Sequence, residues 1–253
     1  MSDVLDAVRQ LVVSERSGAK LTVIAGADFG ATAVLDRESG IVAGEVPSIE
    51  EVVEDARVLV DREQSATLRY QDGSEVFVDV IAPRPRLVIF GAVHIAQELA
   101  VIAARLGYHV TVSDARPAFT TRERFPDVDE LLVGWPGDLA ANLTFDRRTF
   151  VVVLSHDARF EDPLWPMVHR TPVRYIGAMG SRKTAAARRR RLTAAGWTDD
   201  ELDRIHGPVG LEIGASTPGE VAVAILAEMT AARYGANVEP DLVGTPQRLG
   251  KAD

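Results

Sequence analysis

The stretch Arg86-Leu-Val-Ile-Phe-Gly-Ala-Val-His-Ile-Ala96 decides the fold of the second part of this chain. Its first five residues form an apolar run typical of a buried β-strand, Gly91 permits a turn, and an amphipathic helix follows as far as Leu106. Apolar strands that alternate with helices predict an α/β domain, with a parallel sheet and helices on both of its faces. Four further strands are predicted, at Tyr108–Ser113, Leu131–Val133, Phe150–Ser155 and Val173–Ile176.

The turn after the first of these strands partly matches the dinucleotide fingerprint G-x-G-x-x-G/A, so the domain is predicted to be Rossmann-like. Gly91 and Ala96 fit the first and last positions, but Val93 replaces the middle glycine. Because that glycine lets the backbone approach a pyrophosphate, a valine is expected to push a dinucleotide outward. Asp114 ends the second strand, where an acid would hold a ribose hydroxyl. Two alternatives stay open: a Rossmann-shaped domain without nucleotide, and an NAD(P)-dependent oxidoreductase with a degenerate fingerprint.

Two histidines fall in loops at the carboxyl edge of the predicted sheet, where open α/β folds bind their ligands. A histidine there can serve as a metal ligand, a proton shuttle or a loop organiser. No H-x-x-x-H or H-E-x-x-H spacing is present, so no metal site is predicted. The candidate ligand-binding residues of these two loops are Gly91, Ala92, Val93, His94, Ser155, His156 and Asp157.

The turn after the fifth strand, residues 177–184, predicts an anion site. Its glycines free the backbone, and its serine is a suitable cap for a helix whose first N–H groups have no partner within the helix. This pattern differs from a P-loop, because the two glycines lie too close together. The candidate residues are Gly177, Gly180, Ser181 and Arg182, with Lys183 beside them.

The first part of the chain predicts a smaller α+β domain. A helix from Ser2 to about Glu15 and a second helix beginning near Ser48 accompany short strands, and residues 71–74 join two strands in a hairpin. The connector Ala82–Arg86 contains two prolines and marks a domain boundary. The predicted domains are a small α+β domain at residues 1–84, a Rossmann-like domain at residues 85–236 and a loose tail at residues 237–253.

The composition excludes several classes of protein. The 253 residues are 46% hydrophobic and 26% charged, as in globular proteins, and the net charge of −9 argues against nucleic acid or an anionic membrane as partner. The four arginines at 188–191 point in different directions on a helix and are interpreted as a solvated face. The absence of cysteine excludes disulfides, thiolate metal sites and thiol nucleophiles. Acidic residues near the N-terminus and the lack of a long apolar run predict a cytoplasmic protein.

Longer motifs in the second part resemble the XdhC/CoxI family, and the resemblance covers nearly all of residues 86–235 in order and spacing. It implies an accessory protein of xanthine dehydrogenase or carbon monoxide dehydrogenase. Such a protein binds the molybdenum cofactor transiently, assists its sulfuration and delivers it to the apo-enzyme. A Rossmann-like carboxy-terminal domain and a homodimer are also implied. The motifs are Ile89-Phe-Gly-Ala-Val-His94, Asp114-Ala-Arg116 followed by Arg122-Glu-Arg-Phe-Pro126, Tyr175-Ile-Gly-Ala-Met-Gly-Ser-Arg182, and His206-Gly-Pro-Val-Gly-Leu-Glu-Ile-Gly-Ala-Ser-Thr-Pro-Gly-Glu220.

The amino-terminal part departs from the family pattern. Ser17-Gly-Ala-Lys20 keeps only the end of a G-S-S-P-R-x-x-G-A-K-like stretch, and residues 40–46 lack the cysteine of a G-G-C-V-E-like motif. A second family member or a cysteine desulfurase would therefore have to supply sulfur. The resemblance implies a maturation factor for a molybdenum hydroxylase rather than a catalyst, and no catalytic residue is predicted. An NAD(P)-dependent oxidoreductase and a non-catalytic regulator remain as alternatives.

Overall fold

The computed structural model describes residues 2–46, 49–155 and 157–236. The chain divides into two compact units, residues 1–83 and 84–253. Ser48, where the second helix was predicted to begin, and the predicted tail at residues 237–253 lie outside the described residues.

The first unit is a five-stranded antiparallel sheet in the order β3-β2-β1-β5-β4, with two helices. Val52, Ala56 and Val60 recur at four-residue spacing on the second helix, and this apolar stripe packs on the sheet. The predicted hairpin is confirmed as β4–β5, with Gly73 in a left-handed conformation at its turn. The elements are α1 (Ser2–Val13), β1 (Gly18–Ala25), β2 (Thr32–Asp36), β3 (Gly40–Gly44), α2 (Ile49–Arg62), β4 (Ala66–Arg69) and β5 (Glu75–Ile81).

The second unit is a six-stranded sheet in which every strand pair is parallel. Its strands are β6 (Arg86–Phe90), β7 (His109–Asp114), β8 (Glu130–Val133), β9 (Thr149–Val153), β10 (Tyr175–Ala178) and β11 (Ile205–His206). Its helices are α3 (His94–Arg105), α4 (Pro136–Leu139), α5 (Ala158–Glu161), α6 (Trp165–Val168), α7 (Arg182–Ala194), α8 (Asp199–Asp203) and α9 (Pro218–Tyr234).

The order of these strands is β8-β7-β6-β9-β10-β11, which is the doubly wound order of Rossmann domains. The chain winds outward from β6 in one direction and then returns to continue from β9 in the other. The strand order therefore reverses between β6 and β9, and the loops that follow these two strands border a crevice at the carboxyl edge. Ligands of open α/β sheets bind in such a crevice.

Successive residues of each central strand bury their side chains on opposite faces of the sheet. On one face, Ile89 and Val152 pack with α3 and α9. On the other face, Phe90 and Val153 pack with α5, α6 and α7, and Trp165 is among the buried residues. Because both faces are covered, the strands read as nearly continuous apolar runs. The predicted Rossmann-like fold, with helices on both faces and a smaller α+β part, is confirmed.

The structure corrects the position of the fifth strand of the sheet. The strand β10 begins at Tyr175 and ends at Ala178, so Gly177 lies within the strand rather than in the turn after it. A Cβ atom on Gly177 would lie 2.6 Å from the Tyr175 hydroxyl oxygen and 2.5 Å from a methyl carbon of Val209. Glycine is needed there for the close approach of these side chains, not for turning the chain.

Candidate functional site

The loops after β6 and β9 touch at the point where the strand order reverses. Gly91 has a φ of 111°, a conformation that favours glycine. A Cβ atom on Gly91 would lie 3.2 Å from the carbonyl carbon of Leu154 and 3.3 Å from the backbone nitrogen of Ser155. The first glycine of the fingerprint therefore lets two backbones meet at the floor of the crevice.

Asp114 fixes the loop above β6 and the loop above β7. Its Oδ2 accepts hydrogen bonds from the Ala92 N–H (2.8 Å) and from Nη2 of Arg116 (2.7 Å). Its Oδ1 accepts from the backbone N–H of Arg116 (3.0 Å) and from its Nε (2.9 Å). The Arg116 guanidinium also lies 4.1 Å from the ring centre of Phe119. These four hydrogen bonds occupy the lone-pair positions of both oxygens, so the carboxylate has no acceptor position left for a ligand.

The negative charge of Asp114 is stabilised even though the side chain is buried. Burial alone would raise the pKa of this carboxyl, but the hydrogen bonds from Arg116 and from the Ala92 N–H lower it below its usual value. The side chain is 4% exposed. Asp114 is thus a buried, ionised carboxylate that organises the loops.

Val93 and His94 begin α3 at the same edge. Val93 is the N-cap residue in an extended conformation, makes no side-chain cap and packs partly against the apolar core. His94 is exposed. That Val93 pushes a dinucleotide outward stays a prediction.

The loop after β9 is built around a short helix. The Ser155 hydroxyl oxygen accepts a hydrogen bond from the Asp157 N–H at 3.2 Å, and Asp157 caps α5 by accepting from the Arg159 N–H at 3.0 Å. Arg159 also forms an exposed ion pair with Asp157. His156, the remaining candidate of this loop, lies outside the described residues.

The turn after β10 leads into α7 as the anion-site prediction requires. Gly180 has a φ of 140°, and a Cβ atom there would lie 2.8 Å from the methyl carbon of Thr184. The Ser181 hydroxyl oxygen caps the helix by accepting from the Thr184 N–H. Within the described part of the chain, the N–H groups of Arg182 and Lys183 form no hydrogen bond.

The two basic side chains of this turn differ in their contacts. Arg182 forms an ion pair with Glu212 at 3.1 Å, in which both side chains are more than four-fifths exposed. An exposed pair of this kind is weak, so Arg182 can turn to another anion at little cost. For Lys183, the described residues contain no ion-pair partner.

Arg188, predicted to lie on a solvated face, is buried. Its side chain is 3% exposed and forms two hydrogen bonds with the equally buried carboxylate of Glu161, at 2.9 and 3.0 Å. Its Nη2 also donates to the Met179 carbonyl oxygen at 2.8 Å. Arg188 therefore connects α5, after β9, to the turn after β10. Leu192, four residues further on, shares the buried side of α7, and this spacing was the available signal.

A second network lies beside β10 and β11. Oε2 of Glu228 accepts hydrogen bonds from the Tyr175 hydroxyl (2.6 Å) and from the Gly210 N–H (2.8 Å). Its Oε1 lies 3.0 Å from Nδ1 of His206. The carboxylate of α9 thereby holds the start of the loop that follows β11.

The candidate residues that the structure describes share one edge of the sheet, but not all of them have polar groups available to a ligand. After the turns at Gly91 and Gly180, the first backbone N–H groups of α3 and α7 form no hydrogen bonds among the described residues. In contrast, both carboxylate oxygens of Asp114 accept hydrogen bonds from the protein. The sequence reasoning missed the supporting residues, which are Arg116, Glu161, Arg188, His206 and Glu228. In the described residues, no group of three histidine, aspartate or glutamate side chains is placed to hold a metal ion.

This strand order and this crevice define a Rossmann-like protein whose carboxyl-edge loops are suited to an anionic ligand. The chain belongs to the XdhC family, since the family model of the XdhC Rossmann domain matches residues 87–229, more than half of its length. The resemblance drawn from the motifs is thereby confirmed.

Similar proteins cover mainly this part of the chain. A Bacillus subtilis protein named as a probable subunit of xanthine dehydrogenase is 32% identical over 65% of this chain and 48% of its own length. The Escherichia coli molybdenum cofactor insertion chaperone PaoD is 30% identical over 60% of this chain and 41% of its own length. The chain thus spans less than half the length of these relatives.

A solved structure has the same fold. The crystal structure of a Bacillus halodurans protein described as a xanthine dehydrogenase superposes with a TM-score of 0.54 at 18% identity, covering 89% of this chain and 92% of that chain. At this identity the likeness concerns the fold alone. In addition, no helix within residues 2–46, 49–155 and 157–236 has both the length and the apolar character that a membrane crossing requires.

Proposed function

We propose that this chain is an accessory protein that binds the molybdenum cofactor and helps to insert it into a molybdenum hydroxylase of the xanthine dehydrogenase or carbon monoxide dehydrogenase type. The observation that carries the proposal is the match to the XdhC Rossmann domain. Relatives named as a cofactor insertion chaperone and as part of a xanthine dehydrogenase support it. The cofactor is cargo here, taken up and passed on.

The edge loops suit the chemistry of this cargo, a flat pterin that carries a phosphate. The phosphate would accept hydrogen bonds from the first N–H groups of α7, where the helix dipole favours an anion. Arg182 and Lys183 would add charge-assisted hydrogen bonds. The crevice between the loops at Gly91 and Ser155 would receive the ring.

The geometry favours this cargo over NAD(P). A dinucleotide site of this fold needs an acidic residue to hold the ribose hydroxyl. Asp114 is 4% exposed, and both of its oxygens are occupied by Arg116 and Ala92. The NAD(P)-dependent oxidoreductase is therefore the weaker alternative.

Sulfuration would require help from another protein. The chain contains no cysteine, so a cysteine desulfurase or a second family member would carry the sulfur. We further propose a cytoplasmic homodimer whose client is the apo-enzyme of a molybdenum hydroxylase. A non-catalytic regulator is the outcome to consider if no cofactor is bound.

The experiment measures how much cofactor the protein retains. Wild type, Arg182→Ala and the matched control Arg190→Ala are purified at low salt from a molybdenum-replete host, and bound pterin is measured by fluorescence after oxidation. Arg190 is an exposed arginine further along α7, so its removal changes the net charge equally. The variant Arg182→Ala loses one charge-assisted hydrogen bond, which is worth about 1.5–3 kcal/mol. It should therefore retain the pterin at least about tenfold more weakly than wild type does. Arg190→Ala should behave like wild type.

Two results would count against the proposal. A folded wild-type protein without any pterin would exclude the cofactor-binding role and favour the regulator. If the wild-type protein quenches NADH fluorescence when the two are mixed at comparable concentrations, that result would favour the oxidoreductase. Equal retention by Arg182→Ala and wild type would remove only the α7 turn from the site.

A further inference from the structure

A cavity of about 170 Å³ lies between α7, α8 and the end of β11. Ala185 of α7 and Gly207, which follows β11, line it with little or no side chain and so leave the space open. Its apolar wall consists of Leu192, Leu202 and Ile205. None of the described lining residues belongs to the candidate ligand loops, so this cavity is separate from the crevice between β6 and β9.

One buried charged side chain also lines this cavity. Arg188 is 3% exposed, and a guanidinium carries five N–H donors. Nε and Nη2 of Arg188 donate to Glu161, and Nη2 also donates to the carbonyl oxygen of Met179. Within the described residues, the two N–H groups of Nη1 form no hydrogen bond. The bidentate pair with Glu161 thus leaves one end of the guanidinium without a protein acceptor in the described part of the chain.

This end of the guanidinium lies where Gly207 lines the cavity. A Cβ atom on Gly207 would lie 3.6 Å from Nη1 of Arg188 and 3.6 Å from the Cβ atom of Ala185, and all three residues line the cavity. Buried polar groups are nearly always hydrogen-bonded, because an unsatisfied group costs free energy. A ligand that brings an acceptor oxygen to this wall would therefore satisfy both N–H groups of Nη1.

The charges around the cavity favour a neutral ligand over an anion. The guanidiniums beside it are already paired with carboxylates, and these pairs are Arg188 with Glu161, Arg189 with Asp199 and Asp203, and Arg191 with Asp162. A carboxylate or phosphate group would lose its hydration here without gaining an unpaired positive charge. A carbonyl oxygen can accept both N–H groups of Nη1 at a smaller cost of desolvation.

The volume and the apolar wall define the rest of the ligand. An apolar cavity of about 150 Å³ accepts a benzene molecule. A cavity of about 170 Å³ therefore has room for a single ring with a short substituent. Leu192 and Leu202 are buried, so their side chains offer the ring an apolar contact that excludes water.

We propose that this cavity binds a small neutral carbonyl compound with an apolar body, of which an aromatic amide is the simplest form. Its oxygen accepts hydrogen bonds from Nη1 of Arg188, and its ring packs against Leu192, Leu202 and Ile205. The inference goes beyond the cofactor role, because it concerns a second ligand in a separate site.

Three probes of nearly equal shape test the chemistry of the ligand on the full-length protein. Benzamide carries the carbonyl oxygen, benzoate adds a negative charge, and toluene has no acceptor. Their dissociation constants are measured by ligand-observed NMR. The hydrogen bonds to Nη1 predict that benzamide binds at least about fivefold more tightly than either of the other two probes. Benzoate or toluene binding as tightly as benzamide would overturn the inference.

The variant Gly207→Ala tests the location of the site. Its methyl group would lie 3.6 Å from Nη1 of Arg188, in ordinary contact with its neighbours, so it covers the donor without disturbing the fold. Gly219→Ala is the matched control, because no other described atom lies within 4 Å of a Cβ atom there. We expect Gly207→Ala to bind benzamide at least about fivefold more weakly than wild type, and Gly219→Ala to bind it equally well. Arg188 is not substituted, because its removal would leave Glu161 buried without its main partner.

A further measurement does not depend on the folding of any variant. Wild-type protein with labelled leucine and isoleucine methyl groups is saturated with benzamide. We expect nuclear Overhauser effects between the ring protons of benzamide and the methyl groups of Leu192, Leu202 and Ile205.

Three results of these experiments would each overturn the inference: no binding of benzamide by wild type at millimolar concentration, equal binding by wild type and Gly207→Ala, or no nuclear Overhauser effect to these methyl groups at saturation. The proposed cofactor role would stand in each case, because no pterin enters these assays.

Discussion

Single residues at the carboxyl edge of the sheet act chiefly as clamps between loops. Asp114 joins the turn after β6 to the turn after β7, and Arg188 joins α5 to the turn after β10. Both form bidentate pairs between arginine and a carboxylate, a geometry that fixes orientation as well as charge. The loops that would receive a ligand are therefore held in place by charged groups that lie beneath them.

The buried pair of Arg188 and Glu161 predicts a large effect of substitution on stability. Arg188→Met leaves the Glu161 carboxylate buried without its main partner and should lower the free energy of unfolding by about 3–5 kcal/mol. The double variant Arg188→Met/Glu161→Leu removes both charges and should recover most of that loss. Urea denaturation of the two variants and wild type measures both values. A double variant no more stable than Arg188→Met would show that packing, not the unpaired charge, causes the loss.

At the scale of elements, the helix starts of this domain differ in how their backbone N–H groups are satisfied. The helices α5, α7 and α9 each begin with a side-chain cap. The start of α9 is satisfied by a capping box, in which Thr217 and Glu220 bond each other's backbone N–H groups. In contrast, the start of α7 keeps N–H groups without hydrogen bonds among the described residues, which makes α7 the better candidate for an anion site.

The capping box of α9 predicts a defined dependence of stability on pH. Hydrogen bonds from the N–H groups of Thr217 and Ser216 lower the pKa of Glu220 from 4.5 to about 2. Because the folded-state pKa is lowered, the carboxylate stabilises the fold above pH 4.5, and this contribution is lost as the pH falls towards 2. Glu220→Gln should melt a few degrees below wild type at pH 7 and should approach the wild-type melting temperature near pH 2.

The matched control for this prediction is Glu98→Gln, which removes an exposed carboxylate of α3 outside any capping box. Its melting temperature should follow that of wild type from pH 7 to pH 2. A constant difference between Glu220→Gln and wild type over the whole range would mean that the charge of Glu220 does not stabilise α9.

At the scale of the whole molecule, the chain consists of two units that each complete their own sheet. Every strand from β6 to β11 pairs within the second unit, and every strand from β1 to β5 pairs within the first. Each sheet also has its own apolar core. Neither unit borrows a strand from the other, which is the usual condition for independent folding.

A shortened chain of residues 84–236 is therefore expected to fold by itself. It should show a single cooperative thermal transition by circular dichroism, and limited proteolysis of the full chain should cut first within residues 82–86, where prolines keep the backbone extended. An insoluble fragment without a cooperative transition would show that the second unit depends on the first.

Local sequence patterns were sufficient to predict the class of fold. The apolar run from Arg86 to Phe90, the glycine turn and the helix that follows specify a strand–helix unit, because burial on both faces leaves a continuous apolar strand. The hairpin at Gly73 and the cap at Ser181 were also predictable, because residues close together in the sequence form both of them. Membership of the XdhC family could also be predicted from motifs in the sequence.

Only the tertiary structure decided how these pieces combine into a site. The reversal of strand order between β6 and β9 depends on pairing between segments that two other strands separate along the chain. The roles of Asp114 and Arg188 depend on partners whose position the fold alone determines, and for Arg188 the partner Glu161 is 27 residues away. His206 pairs with Glu228, 22 residues further along. A charged or titratable side chain acquires its chemistry from burial and from the groups that face it, and neither is a property of its neighbours in sequence.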